Sequence, residues 1–233
     1  MNALLYITTV LIWGTTWIAI SMQSGPVPVV VSVFYRFSLA AGVLLLVLLI
    51  SGRLRRLAKR DHLFCLLQGM CVFGFNFCCF YAANAYINSG LESVLFSMAT
   101  VFNAINGVIF FRQRATRRLL WANLLGFIGI VSLFWQDLDL LSTNAYPMGY
   151  GALVMLLVAL GTGAQFSIEW SAAYLGSLVY LALFGSVIGF ATYFALIGRI
   201  GAGPAAYATV VFPLIALGMS TLFEGYQWTS TAV

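Results

Sequence analysis

The chain has 233 residues, of which 62% are hydrophobic and 7% charged, with a mean hydropathy of +1.00. A water-soluble domain carries charge on about a quarter of its residues, so this composition excludes a soluble domain and points to a lipid bilayer as the chain's surroundings. The net charge of +5 indicates no nucleic-acid partner, because the basic residues collect in two short loops, where they set membrane orientation.

In chain order, the first apolar run is Leu4–Ser21. It has no basic segment before it and no small-residue cleavage site after it, so it is expected to stay as a helix rather than leave as a signal peptide. Trp13, Gly14, Thr15, Thr16 and Trp17 interrupt its middle with groups suited either to close helix packing or to lining a cavity. Gly25, Pro26 and Pro28 form the turn into a second span, Pro28–Ile50, since Pro is tolerated where the first helical turn leaves its N–H unpaired. Arg36 lies eight residues past Pro28, about 12 Å into the membrane at 1.5 Å per residue. A cation at that depth costs at least a few kcal/mol unless it meets water, a carboxylate or carbonyls, which makes Arg36 the strongest single-residue indication of an interior site. The loop Ser51–His62 carries five basic residues and is expected to stay in the cytoplasm. His62, at its edge, reads as a solvated side chain rather than a proton carrier.

The third span, Leu63–Ala82, holds Gln68 and Asn76, and also Cys65, Cys71, Cys78 and Cys79 without paired CxxC motifs or a neighbouring His cluster. Neither a zinc site nor a disulfide framework is indicated, and no cofactor or metal is expected. A polar turn, Asn84–Gly90, leads to the fourth span, Leu91–Phe111, on which Thr100, Asn103 and Asn106 share one helical face. Asn side chains there serve helix association or solute contact equally well. Arg112, Arg114, Arg117 and Arg118 fill the following loop. The fifth span is Leu119–Trp135, and the connection Gln136–Pro147, with Asp137 and Asp139, is expected on the outer side as a solvated turn. A sixth span, Met148–Gln165, is followed by an amphipathic joint, Phe166–Ser171. Two last spans run from about Tyr174 to Ile197 and from Pro204 to Phe223, with Gly185 and Gly189 at GxxxG spacing and Pro213 breaking the last one near a solute path. With bases in alternate connections, the N-terminus is expected inside a bacterial inner membrane.

Tyr81–Arg114 is echoed by Tyr193–Tyr226, with Tyr81, Ala83, Ala104 and Phe111 meeting Tyr193, Ala195, Ala216 and Phe223. The offset is 112 residues from Tyr81 to Tyr193, but matching Gly14 to Gly161 needs 147. The ruler implies a two-repeat chain, 1–136 and 147–233, lacking about 35 residues, one span with its loop, near Ala164 and Gln165. By the same offset a last span would fall beyond Val233.

Trp13-Gly14, the Pro28 and Arg36-Phe37 pattern, GLESVLFSMATVFNAINGVIFFRQR in the fourth span and TVVFPLIALGMSTLFEG in the last together resemble the EamA-like drug/metabolite transporters. The resemblance covers nearly the whole chain. It implies an all-α polytopic bundle built as two inverted five-helix repeats, exporting amino acids, other metabolites or toxic amphipathic compounds. Here about eight of ten spans are expected, with the seventh and tenth absent. The chain departs from the family pattern at Thr100, where a Pro is usual, and at Gln113, where a Glu is usual.

The expected function is therefore a secondary transporter working by alternating access, with a cavity between the repeats near the mid-plane. Arg36 would supply charge recognition or lock helices, with Glu92 as its candidate partner. Trp13, Tyr81 and Tyr193 would give aromatic walls, and Asn76, Asn103 and Asn106 hydrogen bonds. Glu92 is the one acid placed for proton coupling, and a homo-oligomer is left open. An intramembrane enzyme would need converging acids, histidines or a metal, which the spans do not offer. A non-transporting or partner-dependent protein, made incomplete by the missing helices, is the alternative.

Overall fold

The structure, a computed structural model, describes residues 2–55, 57–97, 140–201, 204–205 and 207–227. Seven helices are described: α1 Asn2–Ser21, α2 Val29–Ile50, α3 Lys59–Ala83, α4 Ser89–Ser97, α5 Leu140–Gly161, α6 Ala172–Ile200 and α7 Ala208–Phe223. All except α4 and α7 have the length and apolar character needed to cross a membrane. The fourth span beyond Ser97, the fifth span, Asn103 and Asn106 lie outside the described residues.

Helix starts and stops follow local chemistry. Pro28, at φ −56°, stands just before α2, where its missing N–H costs nothing. Ser171 caps α6, its Oγ accepting from the Tyr174 amide at 3.2 Å. Beyond α6, Gly201 takes φ +86°, a conformation that a side chain at Cβ would strain.

Two helices are wound more loosely in their middles. Gly69–Phe75 of α3 and Leu181–Ile188 of α6 are π-helical, an uncommon geometry that concentrates at functional sites. Leu181 follows Gly69 by 112 residues, the offset that relates Tyr193 to Tyr81, so the same irregularity recurs at the same place in both copies. The other helices of the repeated stretch, α4 and α7, lie side by side and antiparallel: Gly90 at the start of α4 faces Leu217 and Ser220 near the end of α7, as inversion of one copy relative to the other requires.

The helix ends sort into two groups. At one end, here the basic end, the Tyr146 hydroxyl donates to the Arg55 carbonyl at 3.4 Å, and the Tyr150 hydroxyl bonds His62 Nδ1 at 2.7 Å. His62 is thus tied to α5 rather than merely solvated. At the opposite, far end, Ser32 and Tyr174 join hydroxyls at 2.9 Å, and Ser21 and Ser89 both reach Glu224. The sequence expectation that the chain enters its sixth span from the far side is corrected here at Tyr146 and Tyr150, which are at the basic end; Asp137 and Asp139 lie outside the described residues. Helix α5 also starts earlier than expected and contains Pro147. The reason is the link. Helix α6 runs antiparallel to α1, through Thr9 to Thr192, Trp13 to Gly185 and Thr15 to Tyr180, so it begins at the far end. Only ten residues, 162–171, join α5 to α6. A link of that length drawn through lipid would strand its backbone groups, so α5 must end where α6 begins.

The described interior holds three apolar clusters: a small one at the far end around Val31, Ala159 and Tyr174, and two others. Of these two, one joins α2, α3, α5 and α6 around Phe37, Phe73, Met148 and Leu181, and the other joins α1 and α7 around Trp17, Phe212 and Ala216. Helices α3 and α5 meet almost backbone to backbone: a Cβ built on Gly69 would lie 2.6 Å from the Gly151 amide nitrogen, and one on Gly151 would lie 2.8 Å from the Gly69 carbonyl. Gly151→Val should therefore force the helices apart and cost about 3 kcal/mol, at the upper end of overpacking penalties; a clear drop in the thermal midpoint of the detergent-purified protein is the expected reading, and an unchanged midpoint would contradict this contact.

Candidate functional site

Between the clusters around Phe37 and Trp17 lies a cavity of about 150 Å³. It is walled by α1 (Trp13, Thr16, Trp17, Ile20), α2 (Arg36), α3 (Val72, Asn76, Phe77, Phe80), α4 (Phe96), α6 (Gly185, Phe190) and α7 (Phe212). Both copies of the repeat contribute to it. The walls are aromatic and mutually supported: Trp17 lies 5.2 Å from Phe80, 5.6 Å from Phe96 and 6.0 Å from Phe212, ring centre to ring centre. Such pairs add rigidity beyond the area they bury.

Arg36 is the polar element of this wall. Only 2% of it is exposed. Its Nε donates to Ser186 Oγ at 3.1 Å and its Nη1 to the Tyr81 hydroxyl at 3.5 Å, while the guanidinium carbon stands 4.4 Å from the centre of the Phe77 ring. Tyr81 in turn donates to Gln23 Oε1 at 2.7 Å. A cation in a dry site is held by hydrogen bonds and a π face when no carboxylate is supplied, and no acidic residue stands among the described residues that line the cavity. The π turns position these partners. In α6 the widened turn lets Ser186 Oγ donate to the Leu181 carbonyl five residues back, at 2.9 Å, leaving its oxygen free to accept from Arg36. Gly185 beside it has no side chain to cover the guanidinium: a Cβ there would stand 3.3 Å from Nη2.

Of the residues singled out from sequence, Trp13, Arg36 and Asn76 line the cavity together. Tyr81 stands behind Arg36 and orients it. Tyr193 stands behind Trp13, with ring centres 4.7 Å apart, and does not line the cavity. Glu92 is not the partner of Arg36. It is buried in the first turn of α4 at the far end, bonded to the Asn84 amide, whereas Arg36 lies two turns down α2. Trp17 and Thr16, which the sequence left open between packing and cavity lining, do line the cavity; the residues not picked out are Phe77, Phe80, Phe96 and Phe212, which read as ordinary apolar filling in a chain so rich in Phe. Phe77 and Phe80 could have been found by their spacing from Asn76 and Tyr81. Gly185 and Gly189, taken only as packing residues, do pack on α1: Cβ atoms there would strike Thr16 and the Trp13 ring. Gly185 is also part of the cavity wall.

At the far end a second polar group gathers around Glu224. Glu224, just past α7, accepts from Ser21 Oγ at 2.6 Å, Ser220 Oγ at 2.6 Å, Ser89 Oγ at 2.7 Å and the Ser89 amide at 3.0 Å. Burial alone would raise the Glu224 carboxyl, but these bonds outweigh it and hold the group below its ordinary value. One carboxylate thereby ties α1, α4 and α7. No cluster of three or more His, Cys, Asp or Glu suited to a metal occurs among the described residues.

Comparison with known proteins bears on this arrangement. The model of the EamA-like transporter family matches twice, over residues 1–135 and 131–233. Protein PagO of Salmonella typhimurium is 25% identical over 96% of this chain and 85% of its own length. An uncharacterized transporter from the trpA 3' region of Buchnera aphidicola is 22% identical over 97% of the chain and 84% of its own, and the transporter YoaV of Bacillus subtilis is 24% identical over 91% and 84%. The alignment with PagO runs over 268 positions but takes in 96% of this chain's 233 residues, so about 44 of its positions face no residue here. Matched by the family's model along both halves, and built around a cavity that both halves line, this chain belongs to the EamA-like transporter family.

Proposed function

We propose that the protein is a secondary transporter of the bacterial inner membrane that exports small metabolites by alternating access through the cavity at Arg36. The observation that carries this reading is the position of the cavity: it lies near the middle of α1, α2, α3 and α6 and draws its walls from both copies of the repeat, where inverted-repeat carriers hold their solute. Residues 1–136 and 147–233 act as the two repeats, the second shortened. The excess of about 44 positions in the PagO alignment supports that shortening, being enough for one span with its loop. Arg53, Arg55, Lys59 and Arg60 put the basic end in the cytoplasm, together with the N-terminus of α1, and the Glu224 cluster then faces outward. Glu224 ties three helices above the cavity, so this conformation is closed to the outside, and opening outward requires those bonds to part. Glu92, buried beside this cluster, is the acid available for proton coupling.

The shortening also favours a second reading, a chain that needs a partner copy to seal its cavity. Flux measured with this chain alone in proteoliposomes separates the two: solute counterflow above protein-free vesicles supports the carrier, and its absence at normal protein density supports the partner-dependent form. In the carrier, Arg36→Leu is expected to reduce flux at least tenfold with protein levels in the membrane preserved; flux equal to the parent would remove Arg36 from the mechanism.

The outer tie gives a further expectation. In Glu224→Gln one acceptor oxygen becomes an NH₂ donor facing Ser89 and Ser220, which costs on the order of 2 kcal/mol. Outward opening should then become more frequent, read as several-fold faster labelling of Ile20→Cys by a membrane-impermeant maleimide in a background freed of the native cysteines. Because the folded Glu224 carboxyl lies below its ordinary value, the tie is fully present above about pH 4 and is lost as the pH falls through the depressed value. The difference in thermal midpoint between parent and Glu224→Gln should thus stay constant across neutral pH and shrink only in stronger acid.

A further inference from the structure

We infer that the cavity is selective for small organic anions, with one carboxylate on an apolar body of about the size of an aromatic ring, and against their amines, neutral amides and zwitterionic amino acids. This rests on the carrier reading for its biological meaning, and on the cavity alone for its chemistry.

The guanidinium has three nitrogens. Two are engaged, Nε by Ser186 and Nη1 by Tyr81, both neutral partners. Nη2 makes no hydrogen bond to a described residue and stands beside Gly185, where no side chain covers it. Arg36 is thus a buried cation whose charge no described residue balances, at the wall of a cavity that it lines. An unbalanced charge in such a place costs several kcal/mol, and a carboxylate entering the cavity relieves that cost while accepting from Nη2. A neutral amide cannot balance the charge, and an amine adds a second cation a few ångströms from the first.

The rest of the wall sets size and apolar character. A cavity of about 150 Å³ is of the order that accepts one benzene-sized body. Trp13, Trp17, Phe77 and Phe212 offer ring faces and edges to it, and Asn76 offers one amide to a further polar atom. No carboxylate stands among the described lining residues to receive an ammonium group. A zwitterionic amino acid would bury its ammonium against the same wall that already carries Arg36, with nothing to pair it.

Binding to the purified full chain in nanodiscs tests this, read by quenching of indole fluorescence from Trp13 and Trp17 and by the shift in thermal midpoint. The probes are benzoate, benzamide, benzylamine and phenylalanine at neutral pH. Benzoate should bind at least tenfold more tightly than the other three. Arg36→Gln should abolish that preference, whereas Arg36→Lys should keep the preference for benzoate with weaker affinity. Equal binding of benzoate and benzamide, or no binding of benzoate, would overturn the inference; if Arg36→Gln does not fold, the comparison of the four probes on the parent chain decides. Benzoate binding without benzoate flux in proteoliposomes refutes the carrier reading and leaves the anion site standing. Phenylalanine flux without benzoate binding does the reverse.

Discussion

A guanidinium held about 12 Å inside a helix that crosses lipid must be satisfied by whatever the neighbouring helices bring, and much of the architecture follows from how that is done. Among the described residues no carboxylate is brought to Arg36. Instead α6 supplies Ser186, α3 supplies Tyr81 and the face of Phe77, and Gln23 at the head of the α1–α2 turn steadies Tyr81. Each neutral partner recovers part of the desolvation cost, and none cancels the charge. The result is a fixed positive potential in an aromatic enclosure, poorly suited to mere structural stability and well suited to attracting an anion.

The π turns are the local device that makes this possible. A regular α-helix spaces side chains so that a Ser pointing at a neighbour also crowds its own preceding turn. Widening one turn in α6 turns Ser186 and Gly185 toward the cavity, and the equivalent widening in α3 carries Val72 and leads directly into Asn76 and Phe77. That both irregularities sit 112 residues apart, in step with Tyr81 and Tyr193, ties the solute cavity to the two-fold plan of the chain: each copy contributes one loosened helix, and the cavity lies where they face each other. Above it, Glu224 of one copy binds Ser89 of the other and Ser21 of α1, so the closure is also shared between the copies.

The short link between α5 and α6 has a mechanical consequence. With ten residues between α5 and α6, these helices must be antiparallel neighbours, and α6 is already committed by its bonds to α1. Helix α5 therefore runs from the basic end to the far end, packing its Met148 and Met155 into the cluster around Phe37. An expectation drawn from strict alternation of loops put its start on the other side. The error lies in treating each loop as independent, when a short link and a set of interhelical bonds constrain orientation jointly.

The amino-acid sequence by itself determined that the chain crosses a membrane, where the described apolar helices fall, apart from the early start of α5 at Leu140, and that it repeats, and it singled out Arg36, Trp13 and Asn76 as candidates that the fold brings to one cavity. These are legible because hydrocarbon imposes length, apolarity and the rarity of charge one residue at a time. The tertiary structure alone decided that Glu92 stands apart from Arg36, that Glu224 ties α1, α4 and α7 at the far end, that Tyr193 supports Trp13 from behind, and that Phe77, Phe80 and Phe212 are cavity walls rather than filling. Those facts depend on helix rotation and on which helices adjoin. In a chain apolar on nearly every helix face, rotation is fixed by close approaches such as Gly69 on Gly151 and by a few buried hydrogen bonds, and neither leaves a periodic mark in the sequence.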